Sequence, residues 1–292
     1  MIRLSDFLTM VAICAIWAIN AVFSRYVIAI AAVPPLFLSV ARFSLAALVL
    51  APMLRPVPRP TLPVVAAGLL MGAGHFGLLL VGYGLIDASL AAILLQTGVP
   101  VTAVFSALII GERVGLPRIA GIALALSGVV LVLWRPGQFT VSVGVLLVIL
   151  AAASLALGSI LLKRLPDMTP LRMQAWTSAT SIPPLGIASY LLETGQMQKV
   201  ATHGLAFAGL LGFSALVVTV ISHTAYYRLL RLYDASAISS LTLMFPLMTV
   251  ALGMAMLGER PGAAFFIGTA IALLGVIVVL RNPERIVAQP RD

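Results

Sequence analysis

Apolar residues in this chain do not alternate with polar ones; they continue in long stretches. A helix needs about 20 mostly apolar residues to cross the roughly 30 Å hydrocarbon core of a bilayer. Charge-free runs of that order occupy 7–24, 60–86, 88–111, 119–134, 136–162, 173–192, 200–227, 235–258 and 261–280. A tenth, from about Pro35 to Leu54, is interrupted by one charge, Arg42. Strands of a membrane barrel would alternate over about ten residues, so these runs are read as helices. The punctuation is short and turn-like, as at Pro34-Pro35, Arg55-Pro56-Val57-Pro58 and Arg135-Pro136-Gly137, and leaves no room for a soluble domain. The first run resembles a signal sequence, but the spans that follow make it an uncleaved first helix. The pattern predicts an all-α integral membrane protein of ten transmembrane helices.

Composition agrees. Soluble domains are about 25% charged; here charged residues make up 9% and hydrophobic ones 61%, with a mean hydropathy of +1.13. The net charge of +9 does not signify nucleic-acid binding, because the basic residues stand singly or in pairs at the ends of apolar runs rather than on one face. Their distribution gives orientation instead. With the N-terminus in the cytosol, thirteen of the 18 basic residues fall inside, among them Arg3, Arg55, Arg59, Arg113 and Arg118. Only Arg25, Arg135, Lys199 and Arg260 fall outside. Both termini are therefore expected to be cytosolic. The single cysteine, Cys14, allows no intramolecular disulfide or cysteine metal cluster. All nine acids stand at span ends or in loops, so no intramembrane acid–base pair points to an enzyme, and neither a cofactor nor a metal is expected. Gly72-Ala73-Gly74-His75-Phe76-Gly77 matches a dinucleotide fingerprint in letters only, because it lies inside an apolar span without a preceding strand.

The chain also repeats itself. Asp87-Ala88-Ser89 recurs as Asp234-Ala235-Ser236, and Gly111-Glu112-Arg113 as Gly258-Glu259-Arg260, both 147 residues on (234 less 87, 258 less 111). Gly115, Gly121, Gly128 and Pro136 match Gly262, Gly268, Gly275 and Pro283 in the same register. Five spans per repeat is an odd number, so the halves, 1–137 and 138–292, are expected to lie inverted in the membrane. Inverted repeats are an architecture of alternating-access carriers.

Ten spans, Trp17 in the first, Arg42 in the second, midspan prolines in the fourth and ninth, and Gly-Glu-Arg after both resemble the drug/metabolite transporter superfamily, EamA type, over the whole chain. Within it the chain is most similar to bacterial amino-acid exporters. The resemblance implies a multi-pass protein of the bacterial inner membrane, functional as a monomer, whose partners are the lipid bilayer and a small-molecule substrate. It implies export of small metabolites, neutral or aromatic amino acids first. Sugars or lipophilic drugs are the alternative cargo, and a membrane-embedded enzyme is the alternative class.

Site residues are sought where spans are broken or polar. Proline cannot donate to the carbonyl four residues earlier, so Pro100 is expected to free the Gln96 carbonyl and Pro246 that of Thr242. Broken helices at matching places in two halves point to a carrier's binding site, which adds Thr97 and Phe245 beside the kinks. Pro246 precedes Gly258 by twelve residues but Pro100 precedes Gly111 by eleven, which predicts a register change in the fourth helix. Arg42 either pairs with a substrate carboxylate through its fork of donors or snorkels and satisfies nearby carbonyls. His75 lies midway along the third span with Tyr83 further on. Trp17, Asn20 and Trp176 offer aromatic and amide surfaces. The expected substrate-binding set is Trp17, Asn20, Arg42, His75, Tyr83, Gln96, Thr97, Pro100, Trp176, Thr242, Phe245 and Pro246. The Gly-Glu-Arg boxes are expected to be structural, with glycine ending one helix and glutamate favouring the start of the next.

Overall fold

A computed structural model describes residues 3–110, 115–135, 138–139, 141–163, 168–233, 238 and 241–281. Helix α1 spans Leu4–Ile30, α2 Pro35–Val49, α3 Thr61–Leu85, α4 Ala88–Ile109 and α5 Leu116–Leu133. Then come α6, Val143–Leu162, α7, Pro170–Leu192, α8, Gly204–Tyr226, α9, Met244–Leu257, and α10, Ala263–Arg281. A short helix, Gln196–Thr202, separates α7 from α8, and α8 continues helically to Leu232. Between α5 and α6 two residues pair antiparallel with two others, Trp134 opposite Phe139 and Arg135 opposite Gln138.

Seven helices, α1, α3, α4, α5, α6, α8 and α10, are long and apolar enough to cross a membrane. The other three fall short for identifiable reasons. Helix α2, of 15 residues, covers about 22 Å at 1.5 Å per residue, because Pro52 follows and the chain tightens into a 3₁₀ turn over Ala51–Leu54. Helix α9 starts late, after a turn at Thr242 and Leu243 just ahead of Pro246. Helix α7 is long, but Gln174, Thr177, Ser178, Thr180 and Ser181 dilute its apolar character. Thr177, Ser178 and Ser181 are buried, so α7 turns polar groups into the bundle. The outside is the reverse: Leu48, Leu62, Leu108, Tyr190 and Leu205 are strongly exposed, which suits lipid as solvent.

Helices α5 and α10 pack backbone against backbone. A Cβ placed on Gly121 would meet the Gly275 carbonyl at 3.0 Å, and one on Gly268 would meet the Gly128 carbonyl at 2.7 Å. Small residues let helices approach closely where lipid gives no hydrophobic drive for association. The contacts are reciprocal: Gly121 meets Gly275, while Gly268 and Gly128, their partners in the repeat, meet each other.

One end of the bundle is fastened by two carboxylates. Glu193, just past α7, accepts from the Leu36 and Phe37 amides at 2.7 and 2.8 Å and so caps α2. Glu259 accepts from the Ala88 amide at 2.7 Å and the Ser89 amide at 3.1 Å, and also from the Ser89 hydroxyl. The first four amides of a helix lack internal partners, which is why a carboxylate there is favoured. Gly258 ends α9 in the left-handed conformation, φ 68°, as the sequence predicts, but Glu259 serves α4 rather than the next helix, α10. At this same end Arg25 donates to the Tyr83 carbonyl at 2.7 Å and lies 3.7 Å from Asp87. At the opposite end Tyr233 donates to Asp6 at 2.5 Å. Residues 111–114 and 234–237, the other halves of the two repeated motifs, lie outside the described residues.

Candidate functional site

Among the described residues three helices carry wide turns, one of them at Tyr26–Ile30, the end of α1, and the other two at matching places in the two halves. Leu70–Gly77 of α3 and Phe213–Ser222 of α8 are π-helical, a form that concentrates at functional sites. In α8 the widened segment brings Ser214, Thr219 and Ser222 to the interior, all buried. Thr219 donates its hydroxyl proton to the Ser214 carbonyl at 2.9 Å, and Ser222 donates to the Val218 carbonyl at 2.6 Å. Both hydroxyl oxygens therefore face other helices as acceptors. Trp17 Nε1 of α1 donates to Ser222 at 2.9 Å, and Arg42 Nη2 of α2 donates to Thr219 at 3.2 Å. The Ser214 hydroxyl donates to Asn20 Oδ1 of α1.

Around Trp17 the group is aromatic. Tyr226 lies 5.3 Å away edge-on, His223 5.6 Å and Phe245 of α9 6.4 Å, between ring centroids. His223 is within 3.1 Å of the Gln174 amide of α7. Around Arg42 it is aromatic too: Phe76 of α3 lies 4.2 Å from the guanidinium carbon and Phe43 5.9 Å. Arg42 is 2% exposed, which excludes snorkelling to the interface. Burying an ion costs several kcal/mol even after relaxation. A desolvated cation–π contact returns about 2 kcal/mol and one hydrogen bond to a charged group about 1.5–3 kcal/mol. Among the described residues the one ion pair is Arg25 with Asp87, so no carboxylate of the described chain neutralises Arg42.

The expected residues divide. Trp17, Asn20, Arg42 and Phe245 come together through α8, and His75 approaches by stacking edge-on against Phe76 at 4.7 Å. His75 itself is buried, with Nδ1 2.9 Å from the Ala151 carbonyl of α6. Tyr83 is buried near the capped end, within electrostatic reach of Arg42 and Glu259. Gln96 and Thr97 sit on a 3₁₀ turn, Leu95–Thr97, just before Pro100, while the described stretch after Pro100, where the proline spacing predicts a register change, is continuous α-helix to Ile110. The Thr97 hydroxyl turns back to the Leu94 carbonyl at 2.7 Å. Pro246 is buried, but the Thr242 carbonyl is not released by it: the Phe245 amide takes it at 3.0 Å, because the chain tightens there to i,i+3 bonding. Trp176 keeps a buried Nε1 without a hydrogen-bond partner. Sequence reasoning passed over Ser214, Thr219, Ser222, Gln174 and Tyr226. The signal for the first three was their spacing of five and then three residues in an apolar run, which shares one face only on a widened helix.

Two open clefts lie at the end away from Glu193 and Glu259. One, about 430 Å³, is lined by Met53, Leu171, Thr224 and Arg228; the other, about 390 Å³, by Arg3, Asp6, Arg228 and Tyr233.

A bundle of apolar helices with a polar, aromatic interior is the form of a membrane carrier. The model of the EamA-like transporter family matches residues 5–134 and again 142–281, and the chain belongs to that family. A Salmonella typhimurium protein named "Probable amino-acid metabolite efflux pump" is 28% identical over 95% of both chains. An Escherichia coli protein of the same name is 26% identical over 91% of both. A solved crystal structure superposes with a TM-score of 0.61 at 20% identity, covering 95% of this chain and 96% of that one, and shares the fold. The chain is thus a multi-pass membrane protein of a transporter family, with a small-molecule substrate and a bilayer as its surroundings.

Proposed function

We propose that this protein is a secondary transporter of the bacterial inner membrane that exports small metabolites, neutral or aromatic amino acids foremost, by alternating access. The observation that carries the reading is the interior group on the π-helical segment of α8, where Trp17, Arg42, Asn20 and Phe245 meet hydroxyl acceptors away from lipid. Its aromatic faces suit the body of an apolar amino acid. The 26–28% identical relatives named as amino-acid metabolite efflux pumps support the cargo class.

The framework in this reading is ten spans in two inverted halves, 1–137 and 138–292. Support comes from the two successive family matches, from π segments in both α3 and α8, and from the reciprocal glycine contacts of α5 and α10. With both termini cytosolic, the carboxylate-capped end faces out and the clefts around Arg228 face the cytosol. Gln96, Thr97, Pro100, Thr242 and Pro246 act as joints next to the site, and Trp17, Asn20, Arg42, His75, Tyr83, Trp176 and Phe245 as its walls. The test is uptake of labelled L-phenylalanine into proteoliposomes of the purified protein. Saturable uptake, accelerated by unlabelled L-phenylalanine inside, is expected. Uptake no greater than in empty liposomes, alongside saturable uptake of a sugar or a lipophilic cation, would refute the cargo assignment.

A further inference from the structure

Arg42 has a neutral hydroxyl where a buried cation ordinarily has a carboxylate. Nη2 donates to Thr219, Nε is buried with no partner, and Phe76 covers the guanidinium. Tyr83, His75 and His223 lie within electrostatic reach, and none of them is a carboxylate. The carboxylates among the described residues are committed elsewhere. Asp6 holds Tyr233, Asp87 pairs with Arg25, and Glu193 and Glu259 cap α2 and α4. The remaining acids, Glu112, Asp167, Asp234, Glu284 and Asp292, stand between or beyond the predicted spans. An ionisable residue inside a membrane is tolerated when it faces a partner or a pathway, and here the protein supplies the cation without the anion.

We propose that Arg42, steered by Thr219, is the receptor for the carboxylate of a small monocarboxylate ligand. Nε–H and a neighbouring Nη–H form a side-on fork that takes both carboxylate oxygens. Phe43 and Phe76 keep water from the pair and strengthen it. Ser222 lies three residues beyond Thr219 on the same π-helical segment and holds Trp17, so the apolar or aromatic body of the ligand extends from Arg42 toward Trp17, Tyr226 and Phe245. The described interior offers an ammonium no carboxylate. Recognition is therefore of the acid and not of the amine. This deepens the transport reading by naming the group that the site grips, and it rests on that reading for its physiological use alone.

The experiment compares four probes of one shape: L-phenylalanine, 3-phenylpropanoate, L-phenylalaninamide and 2-phenylethylamine. Each is measured by thermal stabilisation of the full-length wild-type protein in detergent and by competition with L-phenylalanine uptake in proteoliposomes. The two acids should bind, and the amide and amine should bind about tenfold more weakly or worse, the worth of a charge-assisted pair. Arg42→Lys keeps the charge without the fork and should lose most of the preference for acid over amide; Arg42→Gln should lose all of it. If neither variant folds, the wild-type panel decides alone. Equal binding of acid and amide, no binding by either acid, or an unchanged preference in Arg42→Lys would each overturn the assignment. Stabilisation by the acids without L-phenylalanine transport would remove the cargo reading and leave the carboxylate site standing. Transport blind to the carboxylate would do the reverse.

Discussion

Replacing Glu259 by alanine would leave the start of α4 without its cap. The carboxylate takes three protons there, from the Ala88 amide, the Ser89 amide and the Ser89 hydroxyl, and Ala88 and Ser89 are 0% and 1% exposed. Orphaning a buried donor costs about 1–3 kcal/mol, and loss of a helix cap about 0.5–2 kcal/mol. Glu259 is itself half-buried and stands at a helix end, so the lower halves of those ranges apply. The hydroxyl can rotate to a backbone carbonyl, and two amides stay unpaired. The expected loss for Glu259→Ala is about 2–4 kcal/mol, and for Glu259→Gln, which keeps one acceptor oxygen, about half as much. The space for this contact is made by Gly253, where an added Cβ would collide with both the Glu259 carboxylate and Ser89.

The assay is the unfolding midpoint of the purified protein in detergent, read for Glu259→Ala, Ser89→Ala and the double variant. Residues in direct contact show coupling of about 0.5–3 kcal/mol, so the double variant should be more stable than the sum of the single losses implies. Full additivity, or an alanine variant that melts with the wild type, would refute the cap and with it the bond between the two halves of the chain.

Three further outcomes follow from the same geometry. Gly128→Ala and Gly275→Ala occupy equivalent places in the repeat and both meet backbone across the α5–α10 contact. Each should lose a similar amount, about 1–3 kcal/mol for overpacking, and a large cost at only one would contradict the reciprocal packing. Trp17→Phe keeps the aromatic contacts but breaks the bond to Ser222; transport should fall up to about tenfold, since one hydrogen bond contributes about 0.5–1.5 kcal/mol and tenfold in rate is about 1.4 kcal/mol, while Ile19→Val on the exposed side of α1 leaves it unchanged. With Cys14 replaced by serine, cysteines at Arg59 should react with impermeant reagents only from the cytosol and cysteines at Asp87 only from outside, and reversed labelling would overturn the orientation.

That the chain folds as long apolar helices was legible because bilayer thickness imposes one length and excludes charge; no such rule marks where a span widens. The Leu70–Gly77 and Phe213–Ser222 segments read as ordinary apolar helix, since a π turn differs only in register. Pro100 and Pro246 are visible breaks and drew attention to α4 and α9, yet the polar contacts described concentrate on α8, whose serines and threonine look like incidental small residues. Arg42 was conspicuous as the one charge in a span, but its partner Thr219 is 177 residues away and no local pattern joins them. Glu259 shows the same limit. Its place after a helix-ending glycine marked it as structural and pointed to the next helix, while the helix that it caps belongs to the other half of the chain.

The central claim is that one interior site is exposed to the two faces in turn. A cysteine at Ser222, in a protein with Cys14 replaced, reports this directly, since position 222 is buried beside Trp17 and two residues from Thr224, which lines the first cleft. The measurement is its alkylation rate by an impermeant reagent added from one side of oriented membranes at a time, with and without saturating L-phenylalanine outside. Without substrate the cysteine should react from the cytosolic side and be shielded from outside. With external substrate, reaction from the cytosolic side should slow as the carrier turns outward. Equal reaction from both sides at once would mean an open pore, and a cysteine inert from both sides under all conditions would contradict a site on the transport path.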